Sequence, residues 1–236
     1  MDTQYTPKDE ALYWDQEYKN GRIRWHRDQV HQILVNHYDK LNPGGKHSRV
    51  LVTMCGMSED MNWLVDRGLQ VIGIDFAKHA LHKFMCLDGQ EWTGCPVKEL
   101  GHDAKLFTRD DGKIKLFYGD VLNLSPEIDG KFDAIYDCSS IHNLPKPKAS
   151  RMANVLKKIL NPGGRILLDA IDYDLKILEL EDLNLQAPVP PPYPMNLKDV
   201  KELFEPECTV ELVETHIETI FCMRETDFNC YLITKK

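Results

Sequence analysis

At 236 residues, with 42% hydrophobic and 9% aromatic side chains, the chain is long enough to bury one α/β core. Its net charge of −8, with only Arg22, Arg24 and Arg27 scattered as a basic cluster, leaves no face able to displace counterions from nucleic acid or an anionic membrane. Seven cysteines without a C-x-x-C pair, a polar first ten residues and no apolar run near the ~20 that span a bilayer point to a cytoplasmic protein with free thiols and no metal, a monomer by default.

In chain order, residues 10–41 read as helical, broken at Asn20-Gly21, and carry the aromatics Tyr13, Trp14, Tyr18 and Trp25. Asn42-Pro43-Gly44-Gly45 stops that segment. Arg49–Thr53 is a β-branched strand, followed by a Cys55-Gly56 turn and a helix from Ser58 to Arg67 that ends at Gly68, a natural residue just past a helix end. Gln70–Asp75 is a second strand and Ala77–Leu87 a second helix. Ile114–Gly119 and Phe132–Asp137 are strands three and four, Lys148–Leu160 a helix closed by Asn161-Pro162-Gly163-Gly164, and Arg165–Ala170 strand five. A proline-rich loop at 187–194 precedes a helix over Asn196–Phe204. Thr209–Thr215 and Asn229–Thr234 then alternate as an antiparallel pair at the sheet edge. The alternation of strand and helix predicts a single α/β domain with a Rossmann-like, doubly wound, mostly parallel seven-stranded sheet whose last strand is antiparallel.

In such a sheet, ligands sit outside the carboxyl ends of the strands, near the point where strand order reverses. Three strand ends carry matching chemistry. Gly56 lets the backbone approach a ligand closely; Asp75 closes strand two, where a carboxylate accepts both hydroxyls of a ribose; Asp120-Val121 follows strand three, in reach of an adenine. Asp75 could equally cap the helix that follows it. Gly56 and Asp75 are 19 residues apart, close to the ~20 expected between a nucleotide loop and its ribose acid. The G-x-G-x-x-G run that a pyrophosphate requires is missing, which favours the phosphate-free S-adenosylmethionine over a nicotinamide dinucleotide.

The run Arg49-Val50-Leu51-Val52-Thr53-Met54-Cys55-Gly56, continued by Met61-Asn62-Trp63-Leu64-Val65-Asp66-Arg67-Gly68 and Val71-Ile72-Gly73-Ile74-Asp75, resembles the thiopurine S-methyltransferase family of class I S-adenosylmethionine-dependent methyltransferases. Trp14-Asp15-Gln16-Glu17-Tyr18 through Trp25-His26, Lys131–Asp137 and Pro191-Pro192-Tyr193 extend the resemblance over nearly the whole chain. It implies residues 1–45 as an N-terminal helical lid on a core of 46–236. The cofactor would lie among Trp14, Tyr18, Trp25, Met54, Cys55, Gly56, Asp75, Phe76, Asp120, Val121, Asp137 and Cys138. Trp25, Cys138, His142, Tyr193 and Arg224 would face the methyl acceptor, a small thiol, with His142 the candidate base. The alternative for His142 is a solvated loop residue, and for Trp14 and Trp25 simple core anchors. An amine, halide, selenium or tellurium acceptor is the alternative substrate class. Two positions depart from the family pattern. Thr53 stands where a proline is usual, and Asp137-Cys138-Ser139 stands where Asp-Arg-Gly is usual, so an acceptor-facing arginine is missing; Arg224, Arg22 or Arg24 is the candidate replacement.

Overall fold

A computed structural model describes residues 7–41, 44–45, 47–174, 191–220 and 224–236. Two helices open the chain, α1 (Pro7–Lys19) and α2 (Gln32–Leu41). The break between them is longer than the Asn20-Gly21 signal suggests: residues 20–31 form an irregular linker, entered through Gly21 at φ +69°. Then follow β1 (Arg49–Thr53), α3 (Asp60–Asp66), β2 (Gln70–Asp75), α4 (Lys78–Asp88), β3 (Trp92–Pro96), β4 (Lys105–Arg109) and β5 (Ile114–Tyr118). A short α5 (Pro126–Asp129), β6 (Phe132–Cys138), α6 (Lys146–Ile159), β7 (Leu160–Asp172), α7 (Leu197–Phe204), β8 (Cys208–Ile220) and β9 (Arg224–Lys235) complete it.

The strands form one sheet in the order β3-β4-β5-β2-β1-β6-β7-β9-β8. β5, β2, β1, β6 and β7 run parallel, β9 is antiparallel to β7, and β8 pairs antiparallel with β9 at the edge. These seven are the predicted sheet. The hairpin β3–β4, read as loop in the sequence, adds two antiparallel strands beyond β5. The central strands are buried on both faces, as parallel sheets covered by helices must be. Val50 and Val52 of β1 face α2, α3 and α4 with Leu34, Leu64 and Phe84, while Leu51 faces α6 and α7 with Met152 and Phe204. That period of two puts one half of each strand into each core layer.

Local signals set the helix ends. Gly68, at φ +84°, closes α3 with its amide on the Val65 carbonyl (2.8 Å) while the Leu69 amide reaches Leu64 (3.4 Å), a Schellman ending. Asn196 and Asp199 form a reciprocal capping box at the start of α7. The fully buried Val200 and Phe204 hold α7 on the sheet, each contributing about 1.5–3 kcal/mol.

Candidate active site

The carboxyl ends of β5, β2, β1 and β6 lie side by side, so chain order reverses between β1 and β6 and leaves a crevice there. Met54 and Gly56, just past β1, adopt φ +42° and +51°, and Ser139, past β6, adopts φ +57°. Two non-glycine residues held in the left-handed region at adjacent strand ends mark where the backbone is constrained. Asp75 is buried at the end of β2 and accepts the Gly56 amide (2.8 Å) and the Ala77 amide (2.6 Å). It is thus a helix-start acceptor as well as a tie to the β1 loop, and each oxygen has a second lone pair. Burial pushes its carboxyl up to about 6. Asp120 caps the turn that follows β5 through the Leu122 amide (2.9 Å), beside a buried Val121, and the half-buried Phe76 follows Asp75.

α1 and the linker close over this crevice. Asp15 accepts the His79 amide (2.7 Å) and faces the His79 ring (2.6 Å), so it satisfies a free donor at the start of α4 from another element. The Tyr18 hydroxyl stands where a Cβ on Gly56 would be, and Trp25 Nε1 donates to it (3.3 Å). Trp14 and Tyr18 meet Trp25 edge to face at 5.0 and 5.8 Å. Trp25 remains 43% exposed, so this aromatic group is a cover on the strand ends and not part of the core.

The acceptor side differs from expectation at several positions. Thr53 donates to the fully buried Asp137 (2.8 Å), which also accepts the Ser140 and Ile141 amides (both 3.2 Å); a hydroxyl thus links β1 to β6 where the family has proline. Burial pushes the Asp137 carboxyl up to about 6. Asp137 therefore shapes the loop and does not present its carboxylate to a ligand. The Cys55 side chain packs into the core against Met61 and the backbone of Gly73, whose lack of a Cβ makes room for it. His142 is no base: its ring is 2% exposed, Nδ1 accepts the Ile171 amide (3.0 Å), and burial lowers its pKa to about 3. Its carbonyl accepts the Tyr193 amide (2.7 Å), so Tyr193 does sit beside the β6 loop, half-buried.

Neither Arg22 nor Arg24 is placed beside Cys138. Arg22 pairs with Glu17 at the surface, Arg24 is exposed, and the Arg224 side chain lies outside the described residues. Among the described residues the cation there is Arg27, whose Nη1 lies 3.7 Å from Cys138 Sγ and whose Nη2 pairs with Glu218. No local signal marks it, because the contact joins residues 111 apart in sequence. His31, the next side chain along the linker to reach this place, is held by the Tyr136 hydroxyl (3.1 Å) and by its amide on Asp60 (2.8 Å).

The sheet order and strand-end chemistry define a class I methyltransferase. Gly56, the buried acid at the end of β2 and the aromatic cover suit a nucleoside that carries no phosphate, which fits S-adenosylmethionine. A family model described as thiopurine S-methyltransferase (TPMT) matches residues 9–227, and the chain belongs to that family. A thiopurine S-methyltransferase of Legionella pneumophila (strain Corby) is 29% identical over 86% of this chain and 84% of its own length. A probable thiopurine S-methyltransferase of Danio rerio is 27% identical over 86% and 82%. Among solved structures, a Burkholderia thailandensis 1,6-didemethyltoxoflavin-N1-methyltransferase, with its acceptor and S-adenosylhomocysteine bound, matches 100% of this chain and 93% of its own with a TM-score of 0.65 at 14% identity. The magnesium protoporphyrin IX methyltransferase of Synechocystis PCC 6803 with bound S-adenosylhomocysteine gives a TM-score of 0.58 at 15% identity, covering 100% and 90%. The chain is an S-adenosylmethionine-dependent methyltransferase.

Proposed function

We propose that this enzyme methylates the sulfur of a small aromatic or heterocyclic thiol. The observation that carries the reading is Arg27 beside Cys138: a guanidinium replaces, from the linker, the cation that the β6 loop lacks. Positive charge at the acceptor end favours an acceptor that arrives as an anion, and an aromatic thiol is already largely ionised near neutral pH. His142, locked neutral with Nδ1 occupied, leaves no base there on the β6 loop.

When bound, S-adenosylmethionine supplies an electrophilic methyl on a sulfonium. In this reading the Gly56 loop and Met54 face it, Asp75 accepts the ribose hydroxyls with its remaining lone pairs, and Asp120 and Val121 meet the adenine. Trp14, Tyr18 and Trp25 cover the crevice and exclude water, while Arg27 and Tyr193 orient the acceptor. Such orientation contributes on the order of 7–11 kcal/mol in favourable cases. We also read the chain as one domain, a lid of residues 1–45 on a core of 46–236, acting as a cytoplasmic monomer without nucleic-acid or membrane partners. Supporting this are the net charge of −8, the free state of the described cysteines and the absence among described residues of a helix long and apolar enough to cross a membrane.

Calorimetric titration with S-adenosylhomocysteine, followed by methyl transfer to a panel of thiols, selenols and amines, tests the reading. Arg27→Gln is expected to leave S-adenosylhomocysteine affinity unchanged and to lower kcat/KM for aromatic thiols by about 10–100-fold, the ~1.5–3 kcal/mol of a charged hydrogen bond. Turnover confined to amines, or an Arg27→Gln enzyme with unchanged kcat/KM, overturns it.

A further inference from the structure

Beyond Cys138 lies a group of side chains that methyl transfer does not call for. Asp169 of β7, His216 and Glu218 of β8, and His31 of the linker offer one donor atom each, all within 4.8 Å of one another. Asp169 is 0% exposed, and neither of its carboxylate oxygens has a hydrogen-bond partner. His216 Nε2 lies 3.6 Å from its Oδ2. A buried carboxylate without a donor costs several kcal/mol, and native structures offset that by protonation, a pair or a metal.

The surrounding groups are arranged as ligands are. His31 has its Nδ1 on the Tyr136 hydroxyl (3.1 Å), which orients the ring and turns Nε2 toward Glu218 Oε1 (2.9 Å). Metal-binding imidazoles are generally fixed in this way through the other ring nitrogen. His216 Nε2 approaches the same Oε1 at 3.3 Å. Arg27 takes the other oxygen of Glu218 and leaves Oε1 to the cluster. Tetrahedral bonds of ~2.1 Å require ligand atoms roughly 3.4 Å apart, a side-chain adjustment from the spacing present. A groove of about 620 Å³ between the linker and β8, lined by Arg27, His31, His216 and Glu218, gives solvent access.

We propose that His31, Asp169, His216 and Glu218 form a binding site for a divalent transition-metal cation beside Cys138. Two imidazoles and two carboxylates suit zinc, cobalt(II) or iron(II) better than calcium or magnesium. Its place at the acceptor end of the crevice rests on the functional reading above, but its existence does not. Ligand spacing in the sequence could not reveal it, because the four residues come from three separate segments.

The test uses the full chain, stripped with a chelator and titrated with zinc by calorimetry and with cobalt(II) by visible absorption. One cation per chain is expected, with ligand-field bands from cobalt. Asp169→Asn, which preserves shape, and Glu218→Gln should each weaken binding at least about tenfold. His102→Gln, an exposed histidine elsewhere on the surface, should not. S-adenosylhomocysteine affinity measured on the same samples reports that each variant is folded. Wild-type binding no tighter than that of Asp169→Asn or Glu218→Gln overturns the site. Loss of S-adenosylhomocysteine binding by the wild type overturns the methyltransferase reading and leaves the metal result standing.

Discussion

His142 shows how one partner can remove a residue from chemistry. An unfolded histidine takes a proton near ~6.5, whereas burial keeps this one neutral down to about 3. Between those values the unfolded chain binds the extra proton, so stability present at neutral pH is lost as pH falls, by ~1.4 kcal/mol per pH unit. Asp75 and Asp137, both raised to about 6, act with the opposite sign: the charged form is disfavoured in the fold, and stability is regained as pH drops through 6. Those two contributions are common to wild type and a His142→Gln variant. Urea unfolding between pH 6.5 and 4 should therefore show the wild type losing stability more steeply than His142→Gln; parallel curves would mean that His142 is protonated in the fold. The sequence placed His142 after a strand but could not say which way the ring turns. The amide that holds it, Ile171, is a neighbour only because β7 lies beside β6.

At the scale of elements, the packing of α1 on the loop after β1 depends on one missing methyl. Gly56 combines a left-handed backbone with contact to the Tyr18 hydroxyl, so Gly56→Ala strains the loop by roughly 1–2 kcal/mol and displaces Tyr18 as well. Amide exchange in α1 and the linker is expected to accelerate in Gly56→Ala while β1 and β2 keep their protection. Uniform acceleration would mean that the core, not the cover, had been damaged. The elements the sequence disclosed were those with apolar periodicity and clear stops: β1, β2, β5, β6, β7, α3, α4, α6, α7 and the terminal antiparallel pair. β3 was not among them. Trp92-Thr93-Gly94-Cys95-Pro96 is almost wholly exposed and contains glycine and proline, which confines it to a sheet edge and removes the alternation that marks a strand. The place of Gly56, Asp75 and Asp120 at neighbouring strand ends was legible because each closes or directly follows a strand. Arg27 was not, since a linker without regular structure has no periodicity from which to read where a side chain points.

For the molecule as a whole, the added hairpin is paired to the sheet through β5 and braced on the helices by one buried arginine. Arg109, 7% exposed, gives Nη1 to Asp88 (3.1 Å) and Asn62 (3.2 Å), and Nε and Nη2 to Asp111 (both 2.9 Å). It thereby joins β4 to α3 and α4. Arg109→Leu leaves the buried Asp88 carboxylate unpaired, which is expected to cost about 3–5 kcal/mol in global unfolding. A loss under 1 kcal/mol in a chemical denaturation series would show instead that strand pairing with β5, and not Arg109, holds the hairpin.

The linker between α1 and α2 carries Trp25 over the loop after β1 and Arg27 and His31 at the far end of the same crevice. On the proposed function, retention of the methyl donor and choice of the methyl acceptor are therefore inherited together. A lineage that adapts to a new acceptor by altering this stretch also alters its cover. Diversification of acceptors is freest where the two duties separate, in the loops after β6 and β7.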